Sequence, residues 1–293
     1  MTSDEHMHQS ERPFRMSWGA VMLKRLVRPI IRKVGFDVVR YHPILPAPGS
    51  TRTTSLTFYE TATGKYFLPT DAQGDIVANA IKSGGIFEEE VVNLAGRYIK
   101  PGTVVIDAGA NFGQMSILFS RMAGDSGRVY SLEADDFVFE ILTKNIEANE
   151  RIGPIVPVFG AVHDTVGETL HFPVQDFKRF PTYGSYGIDY SGGPGRPVKT
   201  FTIDSLNIEA PVSFMKIDIQ GGDLQAMQGA VKTIKRNRMP IIFEYEHSFE
   251  DELKMSFQDY VDFVQGIDYR FQKLVSGHNF LIVPKESLTR PTA

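Results

Sequence analysis

Apolar positions along this chain follow two spacings, and the change between them outlines the elements. From residue 101 onward, short apolar runs of strand length cover residues 104–106, 128–132, 155–162, 212–217 and 241–245. Between them, residues 112–123, 136–149, 223–236 and 257–265 place apolar side chains every three or four positions; Phe137, Ile141, Leu142 and Ile146 share one helical face. Residues 168–172 and 198–203 predict strands flanking a long loop. Residues 269–274 and 279–283 predict a closing antiparallel pair. Strand and helix alternate, so the expected fold class is α/β, a doubly wound and mostly parallel sheet with helices on both faces. Upstream, residues 56–60 and 65–68 predict a small hairpin, and 75–83 and 88–99 two helices broken by Gly84 and Gly85.

The N-terminal part reads differently. Residues 1–52 form a basic amphipathic arm and a Pro-rich linker (Pro43, Pro46, Pro48), and residues 53–293 form the main domain. Within 12–36, Trp18, Met22, Leu26, Ile30 and Val34 recur every fourth position among Lys and Arg, which predicts a helix with an apolar stripe, kinked at Pro29. Two readings stay open for it. It contacts an anionic membrane surface, or it packs on the domain or a second subunit. No apolar run reaches the ~18 residues that span a bilayer. The expected location is cytoplasmic, with peripheral contact at the inner membrane face under the first reading.

Composition narrows the classes further. Hydrophobic residues make up 42% and charged residues 23% of 293, enough for a proper core and incompatible with wholesale disorder. Cysteine is absent, which excludes disulfides, thiolate metal sites and a cysteine nucleophile. The formal net charge of −4 argues against a nucleic-acid coat protein. It also conceals an asymmetry. Seven of the 31 basic residues and no acid lie in 12–36, leaving 24 bases against 35 acids elsewhere.

The strongest local signal is Val104-Val-Ile-Asp-Ala-Gly-Ala-Asn-Phe-Gly113, an apolar strand entering a glycine turn and then a helix. Gly109 and Gly113 permit close backbone approach, and the helix start is expected to offer free N–H groups. The spacing is not the dinucleotide fingerprint G-x-G-x-x-G. Asp107 would repel phosphate and suits a cationic amino-acid ligand. Glu133 ends the next strand, where an acid accepts ribose hydroxyls. These features fit a nucleoside joined to an amino acid, as in S-adenosylmethionine.

From about residue 84 to 284 the sequence resembles the FkbM-type S-adenosylmethionine-dependent methyltransferases. The resemblance rests on Gly85-Ile-Phe-Glu88, Val105-Ile-Asp-Ala-Gly-Ala-Asn-Phe-Gly113, Val129-Tyr-Ser-Leu-Glu133, Asn145-Ile-Glu-Ala-Asn149, Thr202-Ile-Asp-Ser-Leu206, Met215-Lys-Ile-Asp-Ile-Gln-Gly-Gly-Asp-Leu224 and Ile242-Phe-Glu-Tyr-Glu246. It implies a class I methyltransferase, Rossmann-like, with seven strands of which one is antiparallel. It implies O-methylation of sugars or polyketide-like natural products. By position it implies Asp107, Gly109, Asn111 and Gly113 at the methionine end of the cofactor, Glu133 on the ribose and Ala134 near the adenine. The family usually carries Asp-x-Glu-Gly at the fourth strand and a further Glu. Here Gln220 and Asp223 stand in those places, and an amide takes no proton at neutral pH.

Candidates for the chemistry lie at the strand ends. Asp218 ends the fourth strand, and Glu244 and His247 end the fifth; each is a candidate general base. Hard oxygen ligands from Asp218, Asp223 and Glu244 would suit a divalent metal, although no tight ligand spacing supports one. The loop 175–197 sets Tyr183, Tyr186 and Tyr190 among glycines and is the candidate acceptor site for a small molecule or glycan. Two rivals remain at this point. One is a non-catalytic cofactor-binding protein, suggested by Gln220. The other is a nicotinamide-dependent oxidoreductase, opposed by Asp107 and the missing third glycine. No nucleic-acid partner is expected.

Overall fold

The computed structural model describes residues 55–70, 72, 74–149, 152–174, 182–190, 193–276 and 278–286. The basic stretch 12–36 and the linker 42–52 lie outside the described residues, as do residues 175–181 and 191–192 of the candidate acceptor loop.

The chain opens on the hairpin β1 (Leu56–Thr61) and β2 (Gly64–Pro69), then helices α1 (Ile76–Lys82) and α2 (Glu89–Ala95). There follow β3 (Val104–Ala108), α3 (Gln114–Ala123), β4 (Arg128–Glu133), α4 (Asp136–Ala148) and β5 (Ile155–Phe159). Three strands come next: β6 (Ala161–Val162), β7 (Thr169–Pro173) and β8 (Gly195–Phe201). The chain then runs through β9 (Val212–Ile217), α5 (Asp223–Gln228), α6 (Val231–Asn237), β10 (Ile241–Glu244), α7 (Glu250–Leu253) and α8 (Phe257–Gly266). It closes with β11 (Tyr269–Ser276) and β12 (Asn279–Pro284).

Seven strands form the main sheet in the order β11, β12, β10, β9, β3, β4, β5. All neighbours are parallel except β12, which runs antiparallel to β10 and β11. The central strands β3 and β9 are buried along their whole length, as apolar runs covered on both faces should be. Alternation divides their side chains between two cores. Ile106, Met215, Ile241 and Phe243 face α5, α6 and α8, where Leu224, Met227, Ile234 and Val264 meet them. Val105, Phe214 and Ile242 face the other way, onto Val91 and Leu94 of α2 and Phe119 of α3.

Two expected elements are divided. The apolar run 155–162 breaks at Gly160, whose φ of +143° turns the chain out of the main sheet. Beyond it β6 pairs with β8, and β8 with β7, in a separate three-stranded sheet. The helical stretch 223–236 breaks at Gly229, where a Cβ would stand 2.1 Å from the His163 carbonyl oxygen. Asp204 restarts it as α6, its carboxylate accepting from the amides of Lys232 (2.9 Å) and Thr233 (2.8 Å).

The hairpin is held to the domain by two amides one helical turn apart. Asn145 Oδ1 accepts from Phe67 N (2.6 Å) while its Nδ2 donates to the Phe112 carbonyl (2.9 Å). Asn149 Oδ1 accepts from Lys65 N (3.0 Å) and its Nδ2 donates to Lys65 O (2.7 Å). The pair thus satisfies the free edge of β2. Asn145→Ala leaves a half-buried N–H and a buried carbonyl without partners. It is expected to cost about 1–3 kcal/mol of unfolding free energy, read from the urea midpoint; an unchanged midpoint contradicts this docking role.

Candidate active site

The site forms where β3 and β9 end side by side. Asp107 of β3 is in register with Lys216 of β9, and Asp218 N donates to Ala108 O (3.0 Å). The chain then turns at Gly109, with φ +79°. A Cβ there would lie 1.7 Å from the Asp218 carbonyl oxygen, so no other residue fits.

The turn is hung from β4. Leu132 O accepts from Gly109 N (2.9 Å) and Ala110 N (3.0 Å). Asn111 N donates to Glu133 Oε2 (2.9 Å), Phe112 N to Asn111 Oδ1 (2.7 Å), and Gly113 N to Ala110 O (2.9 Å). The N–H groups of the turn itself are therefore already engaged, while Gly113 gives the start of the following helix no side-chain cap.

A cavity of about 210 Å³ opens between this turn, the end of β4, the small sheet and the strand ends of β9 and β10. Gly109, Asn111, Glu133 and Ala134 line it, as do Asp218 and Glu244. Tyr183, Tyr186 and Tyr190 close it from the loop between β7 and β8. Tyr183 is buried, its ring 5.7 Å from Phe112 and 5.6 Å from Phe137. Asp75 anchors it. That carboxylate accepts from Tyr183 N (2.7 Å) and Thr182 Oγ1 (3.1 Å), and also caps α1 through Ala78 N (2.7 Å).

Three expected site residues lie off the cavity wall. Asp107 is fully buried beneath the turn, where Oδ2 accepts from Ser116 Oγ (2.5 Å) and Oδ1 lies 4.0 Å from Lys216 Nζ. Gly113 packs against Leu142 and not against the cavity. His247 sits outside it on an exposed single turn, its side chain 84% accessible and its Nδ1 2.7 Å from Glu250. A strand-end position did not reveal which way the chain turns next.

Lys216 is the residue the sequence reading passed over. Its signal was a single charge inside an apolar run. It is 3% exposed, with Nζ 3.0 Å from Asp218 Oδ2 and 3.4 Å from Gly109 O. Burial opposes its charge, but Asp218, Asp107 and Glu88 outweigh that and raise its pKa. Burial works against Asp218 too, yet the Lys216 ammonium holds its carboxyl below the usual range, so it is ionised. Its neighbours behave oppositely. Burial, then the Asp218 charge, pushes Glu244 up to about 10 and Asp223 up to about 8. Gln220, at φ +57°, donates from Nε2 to both Asp218 Oδ1 (3.2 Å) and Glu244 Oε2 (2.8 Å).

Among the described residues, no three His, Asp or Glu side chains are arranged to hold a metal ion. Asp223 is turned to the backbone, accepting from Glu244 N (3.0 Å) and Ile219 N (3.4 Å).

A sequence-family comparison adds to this geometry. The methyltransferase FkbM domain model matches residues 107–271, more than half of the chain. The chain belongs to the FkbM methyltransferase family. Residues 107–271 thus form a methyltransferase domain, and the oxidoreductase alternative falls away. Among solved structures, methyltransferase FkbM from Methylobacillus flagellatus is 15% identical, covers 66% of this chain and 50% of its own, and has a TM-score of 0.42. This chain thus spans half the length of that relative. Aeropyrum pernix fibrillarin, solved with bound S-adenosyl-L-methionine, is 14% identical over 80% of this chain and 85% of its own, TM-score 0.38. Precorrin-6y C5,15-methyltransferase from Geobacter metallireducens is 14% identical over 68% and 87%, TM-score 0.38. No curated protein matches the chain. The assignment of this FkbM-family chain rests on the family match.

The site residues fit the family's cofactor. The cavity wall carries Glu88, Glu133, Asp135, Asp218, Glu244 and Glu246, with Lys216 as the one Lys or Arg among its described residues. That wall suits a sulfonium and repels phosphate. Glu133 accepts three backbone N–H bonds, from Asn111, Ala134 and Asp135, leaving one of about four lone-pair sites.

Burial raises Glu133 from 4.5 to about 7. The folded chain therefore keeps a proton there that the unfolded chain has released. The stability this contributes is full below 4.5 and lost as pH rises through about 7. Glu133→Gln should accordingly melt higher relative to the wild type at pH 7.5 than at pH 4.5, by differential scanning calorimetry. A constant difference contradicts the shift.

Proposed function

We propose that this FkbM-family chain transfers the methyl group of S-adenosylmethionine to a hydroxyl oxygen. The acceptor class is a sugar, a glycolipid or polysaccharide precursor, or a polyketide-like product. The observation that carries the reading is the ionised Asp218 on the wall of a cavity that also holds the cofactor-type cradle and three tyrosines.

The cofactor supplies an electrophilic methyl group on a positively charged sulfur. Glu133 would hold the ribose through its remaining lone pair, with Ala134 beside the base. Gly109 and Asn111 would border the methionine end. Asp107 would act from below, fixing the turn through Ser116 and Lys216. Asp218 would accept the proton of the acceptor hydroxyl. A low pKa suits this role, because the oxygen becomes a strong acid as its new bond to carbon forms. Glu244, protonated at neutral pH, cannot compete for that proton. His247, exposed beside Glu250 and outside the cavity lining, would have no part in the transfer. Tyr183, Tyr186 and Tyr190 would present rings and hydroxyls to a sugar-like acceptor. Residues 12–36 would bring the enzyme to an anionic membrane surface or a partner subunit.

Incubation with S-adenosylmethionine and a panel of sugars and glycolipids should yield S-adenosylhomocysteine and a methyl ether visible by NMR. A methyl group found on nitrogen or carbon would overturn the reading. Asp218→Asn should lower kcat by roughly 10²–10⁴-fold. Ribose hydroxyls donating to Glu133 favour its anion, so S-adenosylhomocysteine binding should release a proton. Its Kd should fall as pH rises through about 7, and Glu133→Gln should remove that slope. Calorimetry in buffers of different ionisation heat reads this directly.

A further inference from the structure

Behind Glu88 and Glu244 the wall of the active-site cavity is shared with a second, open cleft of about 360 Å³. Glu88, Glu89, Glu90 and Glu244 line it, with His278 and Asn279. Neither Lys nor Arg is among its described lining residues.

Acids alone would not make a site, but the floor of this cleft adds a separate feature. Asn279 is 2% exposed. Its Nδ2 donates to Glu88 Oε1 at 2.7 Å, which fixes the amide with Oδ1 as the acceptor end. That Oδ1 is buried and has no partner, and neither has the buried Oε2 of Glu88. Glu88 is itself held at φ +48°, an uncommon conformation for a side chain of its size. Two buried oxygens, fixed by one another, thus lack donors. A ligand that satisfies them must carry several N–H or O–H groups. The exposed Glu89 and Glu90 at the rim favour a positive charge on it, while Glu244 keeps its proton and burial raises Glu88.

We infer that this cleft binds a primary ammonium group of the acceptor. The acceptor would then be an amino-bearing alcohol, such as an amino sugar, with its hydroxyl in the main cavity and its ammonium on Glu88 and Asn279. The inference rests on the methyl-transfer reading for the hydroxyl half only. Phe87, Glu88 and Glu244 belong to both cavities, so the proposed acceptor would pass along these side chains from one to the other. Lys216 is bonded to Asp218 and reaches Glu88 through its charge alone, which leaves Glu89 and Glu90 as the uncompensated acids of the cleft.

The test uses the full chain and two probes of matched length, 6-amino-1-hexanol and 1,6-hexanediol, titrated by calorimetry with S-adenosylhomocysteine present. The ammonium probe should bind at least about tenfold more tightly, the ratio expected for hydrogen bonds to a charged group. The double variant Glu89→Gln/Glu90→Gln changes only exposed side chains, so its folding is not at risk. It should shrink that ratio toward about twofold without changing S-adenosylhomocysteine affinity. Asn279→Leu should shrink it likewise. Equal binding of the two probes, no binding of the ammonium probe, or a preference that survives both variants overturns the inference. Failure of S-adenosylhomocysteine to bind would instead count against the methyl-transfer reading. The probe preference can still be measured without it.

Discussion

The ammonium of Lys216 stands in the middle of the sheet, and the geometry of the active site depends on it. A buried cation is costly unless it is paired and hydrogen-bonded. Asp218, Asp107 and the Gly109 carbonyl meet that need from three directions. Together they join the end of β3 to the end of β9. Gly109 can then cross against the Asp218 carbonyl, and the Asp218 carboxylate comes to rest on the cavity wall. Asp107 serves this junction from beneath, at one remove from any ligand.

Once Asp218 is ionised, the charges around it are no longer independent. Glu244 and Asp223 lie close by, and like charges this near and this buried cannot all be carried at once. Glu244 and Asp223 keep their protons. Gln220 fits that state. Its amide donates to both Asp218 and Glu244, whereas the Glu usual at this place in the family would add another acid to the group. The substitution that raised the question of a non-catalytic relative therefore has a structural role: it bridges the two carboxyl groups at the reacting end of the cavity.

The parallel core could be read from sequence because its strands are buried on both faces and so are apolar throughout. The glycine turn could be read because only glycine tolerates the Gly109 backbone. The features that escaped depend on partners distant in the chain. The run 155–162 is apolar to its end, and only the pairing of β6 with β8 shows why it must leave the main sheet. The break at Gly229 is imposed by the backbone of His163. Lys216 looked like one charge in a strand until Asp107, Asp218 and Gly109 were placed around it. His247 looked well positioned at a strand end, but the following turn carries it into solvent. Asn145 and Asn149 were visible as a motif, while their role in holding a β edge required the hairpin to be seen.

The bond between Asp75 and the backbone of Tyr183 ties a helix near the start of the domain to a loop far along the chain. The matched family region begins at residue 107, so that helix lies upstream of it. Ile76, Val77 and Glu88 nonetheless form part of the cavity wall. The cavity wall is thus drawn both from the matched region and from the stretch upstream of it. Mutation in the upstream stretch can reshape which molecule is admitted while the strand ends that perform the transfer stay as they are.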